Sequence, residues 1–423
     1  MVIRSPRVLL PGGIGPAEIT VTGATISAVR PVGPRASDAG PRSLVFPGLI
    51  DSHVHVNEPG RSDWEGFATA SAAAAVGGIT TIVDMPLNSV PPTTTVAGLE
   101  AKRAAARAAS INIEFWGGVI PGNAGELDAL ADAGVRGFKC FLAPSGVDEF
   151  PHVTEADLRI AMPILARRRL PLLAHAELPS ALVSPDSAAD PSAYSTWLAS
   201  RPPRAEAEAI AMLVRLCREF GGPIHIVHVA SIEALRVLAH ARQEGLPITA
   251  ETCPHYLSFC AEEIAAGATQ FKCAPPIRER VHRDALWRAL GDGVLDLIAT
   301  DHSPCPPEMK RPGSFLDAWG GIASLELSLA ATWTAAFSRG VSLEQLGQWL
   351  SAAPARLAGL GDRGVIAVGK RADFVVWDPA AEFVVDQAQL HQRHKRTPYH
   401  GLTLRGRVLE TYVGGELVYG GTQ

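Results

Sequence analysis

Hydrophobic and polar positions alternate with a period of two at both ends of the chain, a pattern that predicts β-strands. Residues 17–31 alternate in this way and are interrupted by turn residues. Residues 364–379 and 404–419 repeat the pattern, with Gly-Gly and Gly-Lys turns near them. We therefore predict that residues 1–46 and 365–423 build one small β-sandwich-like domain together.

Between these ends, short apolar runs alternate with longer amphipathic runs, which predicts alternating strands and helices. Strands are predicted near residue 50 and at 79–85, 111–119, 135–142, 170–176, 223–230, 246–252 and 295–301. Helices are predicted at 97–110, 125–133, 155–169, 205–220 and 232–245, and glycine pairs at 77–78 and 221–222 read as helix stops. Strand–helix alternation implies a parallel sheet, and eight such strands imply a closed barrel. Residues 47–364 are therefore predicted to form a TIM-like (β/α)8 barrel of the α/β class.

Composition and charge exclude several classes of protein. The net charge of −5 over 423 residues argues against a nucleic-acid surface. No apolar run reaches the ~18–20 residues of a membrane helix, and the N-terminus lacks the features of a signal peptide. The six cysteines include no C-x-x-C pair, which suits a reducing compartment. We predict a cytoplasmic protein without a nucleic-acid or membrane partner.

The strand predicted near residue 50 ends in two histidines. The stretch FPGLIDSHVHVN at 46–57 places His53 and His55 two residues apart. Alternate residues of a strand point to the same face, so both imidazoles can reach one point. Neutral histidine is the commonest metal ligand. The alternative is a pair of buried, hydrogen-bonded histidines.

Three further predicted strands end in ligand-type residues, at His175, His228 and Asp301. Active sites of barrel enzymes lie at this end of the strands. His225 lies three residues before His228, so a regular strand would point only one of the two inward. His228 is nearer the strand end and is our choice. Four histidines and one aspartate suit Zn²⁺ or a similar divalent ion.

Lys139 lies at the end of another predicted strand, VRGFKCFL, among mainly apolar neighbours. An ammonium group is costly to bury beside cations. The deprotonated amine could react with CO₂ to form a carbamate, a bidentate anion able to bridge two metals. Residue spacing alone favours neither this hypothesis nor its alternative, in which the lysine reaches the surface or binds substrate.

Seven longer motifs follow one another along the chain: PGLIDSHVHVNEPGR at 47–61, GFKCFL at 137–142, LLAHAE at 172–177, IVHVAS at 226–231, ETCPHYL at 251–257, KCAPPIR at 272–278 and ATDHSP at 299–304. They resemble the amidohydrolase superfamily, in its cyclic-amide hydrolase branch, almost from end to end. The resemblance implies six metal ligands: His53, His55 and Asp301 for one ion, His175 and His228 for the other, and Lys139, carboxylated by CO₂, for both. Zn²⁺ is the expected metal, and Co²⁺, Mn²⁺ or Fe²⁺ suits the same ligands.

Within this branch the chain most resembles the allantoinases. Dihydroorotases usually carry Arg where this chain has Asn57, and the stretches NEPGRSDWEGF at 57–67, DMPLNSVPPTT at 84–94 and AWGGIASLEL at 318–327 are similar to allantoinases rather than dihydropyrimidinases. The resemblance implies hydrolysis of (S)-allantoin to allantoate, in purine degradation, by a hydroxide that bridges two metals, with Asp301 moving the proton. Asn57, Asn88 and Ser303 follow strand ends and can both donate and accept hydrogen bonds to substrate. The alternative for these three is turn formation.

Other functions remain open at this point. A hydantoinase or dihydropyrimidinase would apply the same chemistry to another ring. An inactive scaffold relative should have lost ligands, whereas all six expected positions are filled here. A deaminase with a single metal would have no use for a bridging lysine. Relatives in the branch also imply a homo-oligomer, either a dimer or a tetramer.

Overall fold

The structure, a computed structural model, describes residues 1–33, 43–311 and 313–420. Residues 34–42 and 421–423, which the predicted small domain includes, lie outside the described residues. The strands are β1 (Val2–Leu10), β2 (Gly13–Thr22), β3 (Thr25–Pro31), β4 (Leu44–Pro47), β5 (Leu49–Val54), β6 (Ile79–Asp84), β7 (Asn112–Phe115), β8 (Gly117–Gly118), β9 (Phe138–Phe141), β10 (Leu172–His175), β11 (Ile224–Ile226), β12 (Ile248–Thr252), β13 (Leu297–Ile298), β14 (Phe374–Val384), β15 (Thr403–Val413) and β16 (Glu416–Gly420).

The α-helices of the described residues are α1 (Phe67–Val76), α2 (Val96–Ala105), α3 (Leu127–Asp132), α4 (Glu155–Arg168), α5 (Tyr194–Ser200), α6 (Pro203–Phe220), α7 (Ile232–Gln243), α8 (Pro254–Ser258), α9 (Arg280–Gly291), α10 (Ser328–Phe337), α11 (Leu343–Gly347) and α12 (Ala353–Leu357). None of them is long and apolar enough to cross a bilayer.

The central strands form the predicted barrel. Strands β5, β6 and β7 pair in parallel, and so do β8 to β13 in chain order. Trp116 separates β7 from β8, which together occupy one of the eight barrel positions. The ring closes where the His55 amide donates to the carbonyl of His302 over 2.9 Å. The prediction of a TIM-like barrel is confirmed.

Several barrel strands are shorter than predicted. Regular pairing in β11 stops at Ile226, and β13 has only two residues. Past these ends, His228 and Asp301 adopt the left-handed backbone conformation, with φ of 42° and 47°. Few residues other than glycine adopt this conformation, and it is enriched at functional sites. The segments that carry these side chains are therefore bent rather than extended.

Helix boundaries follow local chemistry. Helix α4 begins at a capping box, in which the Thr154 hydroxyl accepts from the Asp157 amide and the Asp157 carboxylate accepts from the Thr154 amide. Helix α6 begins with Pro203 and ends at Phe220. Gly221 follows it in the left-handed conformation, with φ of 70°, which agrees with the predicted helix stop at 221–222. Helix α5 was not predicted, because its seven residues are too few to show a helical period.

The two chain ends share one seven-stranded sheet, in the order β16-β15-β14-β4-β1-β2-β3. Its alternating strands bury one apolar face around Ile19, Val45 and Phe374. Strand β4 pairs with β14 and leads through Gly48 directly into β5. The common sheet built from both ends is confirmed, whereas the domain boundaries at 46/47 and 364/365 stay predictions.

Candidate metal centre and its cavity

Strand ends bring five of the predicted ligand residues together. His53 Nε2 and His55 Nε2 lie 3.2 Å and 3.3 Å from Oδ1 of Asp301. His175 Nδ1 and His228 Nε2 lie 3.0 Å apart. His53, His228 and Asp301 offer ligand atoms that all lie within 4.8 Å of one another. The residues predicted from separate strands therefore form one buried cluster.

The spacing of these atoms fits metal coordination. Two ligands bound to one tetrahedral Zn²⁺ at ~2.0–2.1 Å lie roughly 3.3 Å apart, and the pairs with Asp301 lie 3.2 Å and 3.3 Å apart. Burial lowers the pKa of His55 to about 4 and lowers the pKa values of His175 and His228 as well. These imidazoles are therefore neutral at pH 7, which is the form that binds metals.

Asp301 is ionised in this cluster. Burial favours its neutral acid, but the neighbouring imidazoles of His53, His55 and His228 outweigh burial and lower the pKa of Asp301. The cluster thus combines neutral nitrogen donors with an anionic oxygen. This donor set is typical of sites for zinc and similar divalent ions.

Two carboxylates that the sequence reasoning missed orient the histidines from behind. Oε1 of Glu251 lies 2.5 Å from Nδ1 of His53, and Oε2 of Glu177 lies 2.9 Å from Nε2 of His175. Such outer partners fix the ring orientation of metal-binding histidines. Burial opposes ionisation of Glu251, but His53 and His225 outweigh it and lower the pKa of Glu251 to about 2. Glu177 lies two residues after His175, a spacing that the sequence could have revealed.

The expectation that only one of His225 and His228 faces inward is wrong. His225 Nε2 lies 3.0 Å from Oε2 of Glu251, whose other oxygen contacts His53, so His225 joins the same interior network. His228 also reaches the cluster, 3.0 Å from His175. Counting by strand parity fails here because the regular strand ends at Ile226 and His228 is left-handed.

Lys139 is fully buried on β9, beside the cluster. Its Nζ has no hydrogen-bond partner among the described residues and lies 4.8 Å from the centre of the Phe141 ring. Burial lowers the pKa of Lys139 to about 8, although Asp301 and Glu251 act in the opposite direction. Buried polar groups usually have a hydrogen-bond partner. A bound metal ion or a covalent group on Nζ could supply the partner that Lys139 lacks.

The cluster opens into a cavity of about 90 Å³, which we call the inner chamber. Its walls are His53, His55, Leu87, Asn88, Phe141, Pro144, Ser145, His175, Arg201, His228, Ala274, Asp301, Ser303, Trp319, Gly320 and Gly321. Asn88 and Ser303 thus lie where substrate contacts were predicted. Asn57 does not line the chamber, which corrects our expectation for it. It is completely buried, and its Nδ2 donates to the carbonyl of Pro304 over 3.5 Å.

Two buried lysines, which the sequence reasoning also missed, hold the loop 316–321 along one wall. Four carbonyls accept from them: those of Leu316 and Ala318 from Lys272, at 3.1 Å and 2.5 Å, and those of Trp319 and Gly321 from Lys310. Burial lowers the pKa of each lysine to about 8. Backbone carbonyls that turn towards these ammonium groups fix the course of the loop where it meets the chamber.

A second cavity of about 310 Å³ adjoins the inner chamber, and we call it the outer chamber. Six residues line both chambers: Pro144, Ser145, Arg201, Ala274, Trp319 and Gly320. The outer chamber is further lined by Gly146, Trp197, Lys272, Met309, Arg311, Asp317 and Ala318. A molecule bound at the metal cluster could therefore extend into the outer chamber past the shared wall.

Comparison with known proteins agrees with this architecture. The amidohydrolase family model matches residues 44–418. The chain is 48% identical over 425 residues to an allantoinase of Streptomyces avermitilis, with 99% of this chain and 95% of the relative covered. It is 43% identical to an allantoinase of Arabidopsis thaliana, with 99% and 88% covered.

Solved structures show the same fold. The L-hydantoinase (dihydropyrimidinase) from Arthrobacter aurescens superposes with a TM-score of 0.91 at 30% identity, with 99% of this chain and 96% of that chain covered. A D-hydantoinase superposes with a TM-score of 0.88 at 27% identity, with 99% and 95% covered. The predicted family resemblance is confirmed: the chain belongs to the amidohydrolase family, as a cyclic amidohydrolase of the allantoinase type.

Proposed function

We propose that this protein hydrolyses the cyclic amide of allantoin and gives allantoate. The observation that carries the proposal is the cluster of His53, His228 and Asp301 at the strand ends of a chain with allantoinase relatives. Hydantoin hydrolysis is the second candidate function, because this chain is 30% identical in sequence to the L-hydantoinase whose structure it matches.

We propose two divalent ions, Zn²⁺ by preference, held by the six predicted ligands: His53, His55, Lys139, His175, His228 and Asp301. The contacts at 3.0–3.3 Å among five of these residues support the set. When bound, the ions would polarise the ring carbonyl as Lewis acids and lower the pKa of water from 15.7 towards ~7.

In this proposal Asp301 moves the proton. Its carboxylate accepts the proton of the attacking water and returns it to the ring nitrogen that leaves as the C–N bond breaks. Asp301 is ionised in the cluster and can therefore accept a proton, and its neighbours His53 and His55 hold the carboxylate in place. General acid–base catalysis of this kind contributes roughly 10²–10⁴-fold to the rate.

Asn88 and Ser303 are proposed to orient the ring. Both line the inner chamber, and both side chains can donate and accept hydrogen bonds. A hydantoin ring alternates N–H and C=O groups, so groups with dual character match it. Asn88 adopts the left-handed backbone conformation, with φ of 69°, which asparagine adopts more readily than most residues.

Lys139 is proposed to carry the carbamate. Its Nζ would attack CO₂, form an N–C bond and release a proton, which leaves an anion with two oxygens. Complete burial and the lack of a hydrogen-bond partner among the described residues support this assignment. A bridging anion would also supply negative charge to a ligand set that contains only one carboxylate.

Compartment and assembly stay predictions. All six cysteines are free and buried, which is compatible with the predicted cytoplasmic location. A homodimer or homotetramer is expected from relatives alone.

Allantoin hydrolysis by protein loaded with Zn²⁺, Co²⁺, Mn²⁺ or Fe²⁺, with a metal count per chain, tests the proposal. We expect about two ions per chain and a higher kcat/KM for allantoin than for hydantoin, dihydrouracil or dihydroorotate. A protein that prefers dihydrouracil or hydantoin would instead be a hydantoinase or dihydropyrimidinase.

The bridging role of Lys139 has its own test in Lys139→Ala, with Lys370→Ala, a partly exposed lysine of the small sheet domain, as the control. We expect Lys139→Ala to lose one bound ion and its activity, because the bridge is gone, and short carboxylic acids to restore part of the turnover. A Lys139→Ala protein that still binds two ions tightly would contradict the bridge.

A further inference from the structure

Arg201 stands at the boundary between the two chambers. It follows helix α5 and lines both the inner and the outer chamber. The metal cluster lies only on the inner side, since the outer chamber touches none of the six proposed ligands. Arg201 is therefore placed to contact a part of the substrate that projects away from the reacting bond.

One edge of the Arg201 guanidinium is fully engaged. Nη2 donates to Oε2 of Glu177 over 2.7 Å, and Nε lies 3.1 Å and 3.2 Å from the two carboxylate oxygens. The guanidinium carbon lies 5.1 Å from the centre of the Trp197 ring. A bidentate ion pair together with stacking on an aromatic ring holds the group rigidly.

The other edge is free to bind a ligand. No described residue accepts a hydrogen bond from Nη1 of Arg201, and 15% of the side chain is exposed. A guanidinium has five N–H donors and no acceptor, so the open edge can only donate. It therefore selects for carbonyl or carboxylate oxygens.

The charges of the outer chamber point the same way. Its lining includes Arg201, Lys272 and Arg311 but only one acid, Asp317. Lys272 is occupied with the carbonyls of Leu316 and Ala318. An oxygen-bearing, uncharged or anionic substituent fits this wall, whereas a cationic substituent would meet like charge.

The volumes of the two chambers suit different parts of a substrate. The inner chamber of about 90 Å³ is small compared with the ~300–1,000 Å³ of typical ligand sites. The outer chamber adds about 310 Å³ beyond the shared wall. A five-membered ring at the metal cluster would thus place a ring substituent beside Arg201.

We propose that Arg201 is a specificity-determining residue, whose free edge binds the carbonyl oxygen of the ureido substituent while the ring lies in the inner chamber. The inference rests on the proposed function. If Arg201 has this role, the outer chamber favours hydantoins whose substituent carries an oxygen atom that accepts a hydrogen bond.

The test compares allantoin with unsubstituted hydantoin in wild type and Arg201→Gln. We expect kcat/KM for allantoin to fall roughly 10- to 100-fold, mainly through KM, because a charged hydrogen bond is lost. For hydantoin, which lacks the substituent, we expect a smaller loss that reflects only the weakened ion pair with Glu177, so that the ratio of kcat/KM for allantoin to that for hydantoin falls about tenfold or more. Arg201→Lys should retain part of the preference, and the exposed Arg215→Gln on α6 is the control.

A purely structural role would give a different pattern. Arg201 contacts Glu177, which contacts His175, so a loss transmitted through this chain would lower both activities equally and reduce the metal count. That result would overturn the inference. Wild type without activity on allantoin would instead refute the proposed function.

Wild-type protein alone provides a second measurement that needs no variant. We expect allantoin, which is 5-ureidohydantoin, to exceed 5-isobutylhydantoin, whose side chain is similar in size but apolar, by at least tenfold in kcat/KM. Equal turnover of the two compounds would overturn the inference.

Discussion

The inner and outer chambers share a wall but are built in different ways. In the inner chamber, the metal-binding groups come from strand ends, and buried carboxylates such as Glu251 hold them from behind. In the outer chamber, the polar groups come from loops and from the end of a short helix. Backbone carbonyls and an indole ring hold Lys272, and Glu177 holds Arg201 at the wall that both chambers share. In the proposed function, groups at the strand ends would carry out the reaction, and groups on the loops would contact the rest of the substrate.

The comparison predicts that changes in the inner chamber affect all substrates alike, with the largest effect for Asp301→Asn. Because the amide cannot accept the proton, we expect kcat to fall by roughly 10²–10⁴-fold for allantoin and hydantoin equally. Kinetics on both substrates, with circular dichroism to check folding, measure this effect. A variant within a few-fold of wild type would show that Asp301 does not move the proton.

A smaller effect is expected for Glu251→Gln, which leaves the ligands intact but weakens their support. Outer partners of metal-bound histidines typically contribute about 10- to 100-fold to metal affinity, and Glu251 contacts both His53 and His225. Competition with a chelator measures the affinity, with the exposed Glu219→Gln as the control. Unchanged affinity would mean that His53 is oriented without Glu251.

The smallest effect concerns Lys310, on the outer side, and depends on pH. Burial lowers the pKa of Lys310 from 10.5 to about 8, so between these values the unfolded chain binds more protons than the folded protein. Stability from this residue therefore rises with pH across that window and is lost as pH falls through about 8. The slope is at most about 1.4 kcal/mol per pH unit.

Urea unfolding of wild type and Lys310→Met at pH 7.5, 8.5 and 9.5 measures this slope. Titrating groups that Lys310 does not affect cancel in the difference, and Lys272, whose pKa Lys310 also lowers, adds a change of the same sign. We expect the difference in the free energy of unfolding to shift in favour of wild type as pH rises. A difference that stays constant would show that Lys310 is not a buried, titrating amine.

The residues of the inner chamber were easier to predict from the sequence than those of the outer chamber. Ligand-type residues at strand ends, such as His53 and His175, follow a period of two and a rule about barrel ends, so their convergence could be foreseen. Parity failed for His225 and His228 because the strand ends early and the backbone bends. Tertiary context, rather than the local pattern, decided which histidines face inward.

The outer chamber left no comparable signal in the sequence. Arg201 follows a helix of seven residues, and Lys272 binds carbonyls of a loop more than 40 residues further along the chain. No periodicity marks such contacts. Asn57 shows the opposite error, since its position after a strand end suggested a substrate contact but its side chain is buried against Pro304.

The continuity of β4 into β5 also constrains how the protein is made. A ribosome releases β4 and the histidine-bearing β5 early, but β14, the partner of β4, emerges only near the end of translation. Until then one edge of β4 has no neighbour, and an unpaired strand edge invites association with other chains. The strand that leads into His53 and His55 therefore gains its second neighbour only after nearly the whole chain has been made.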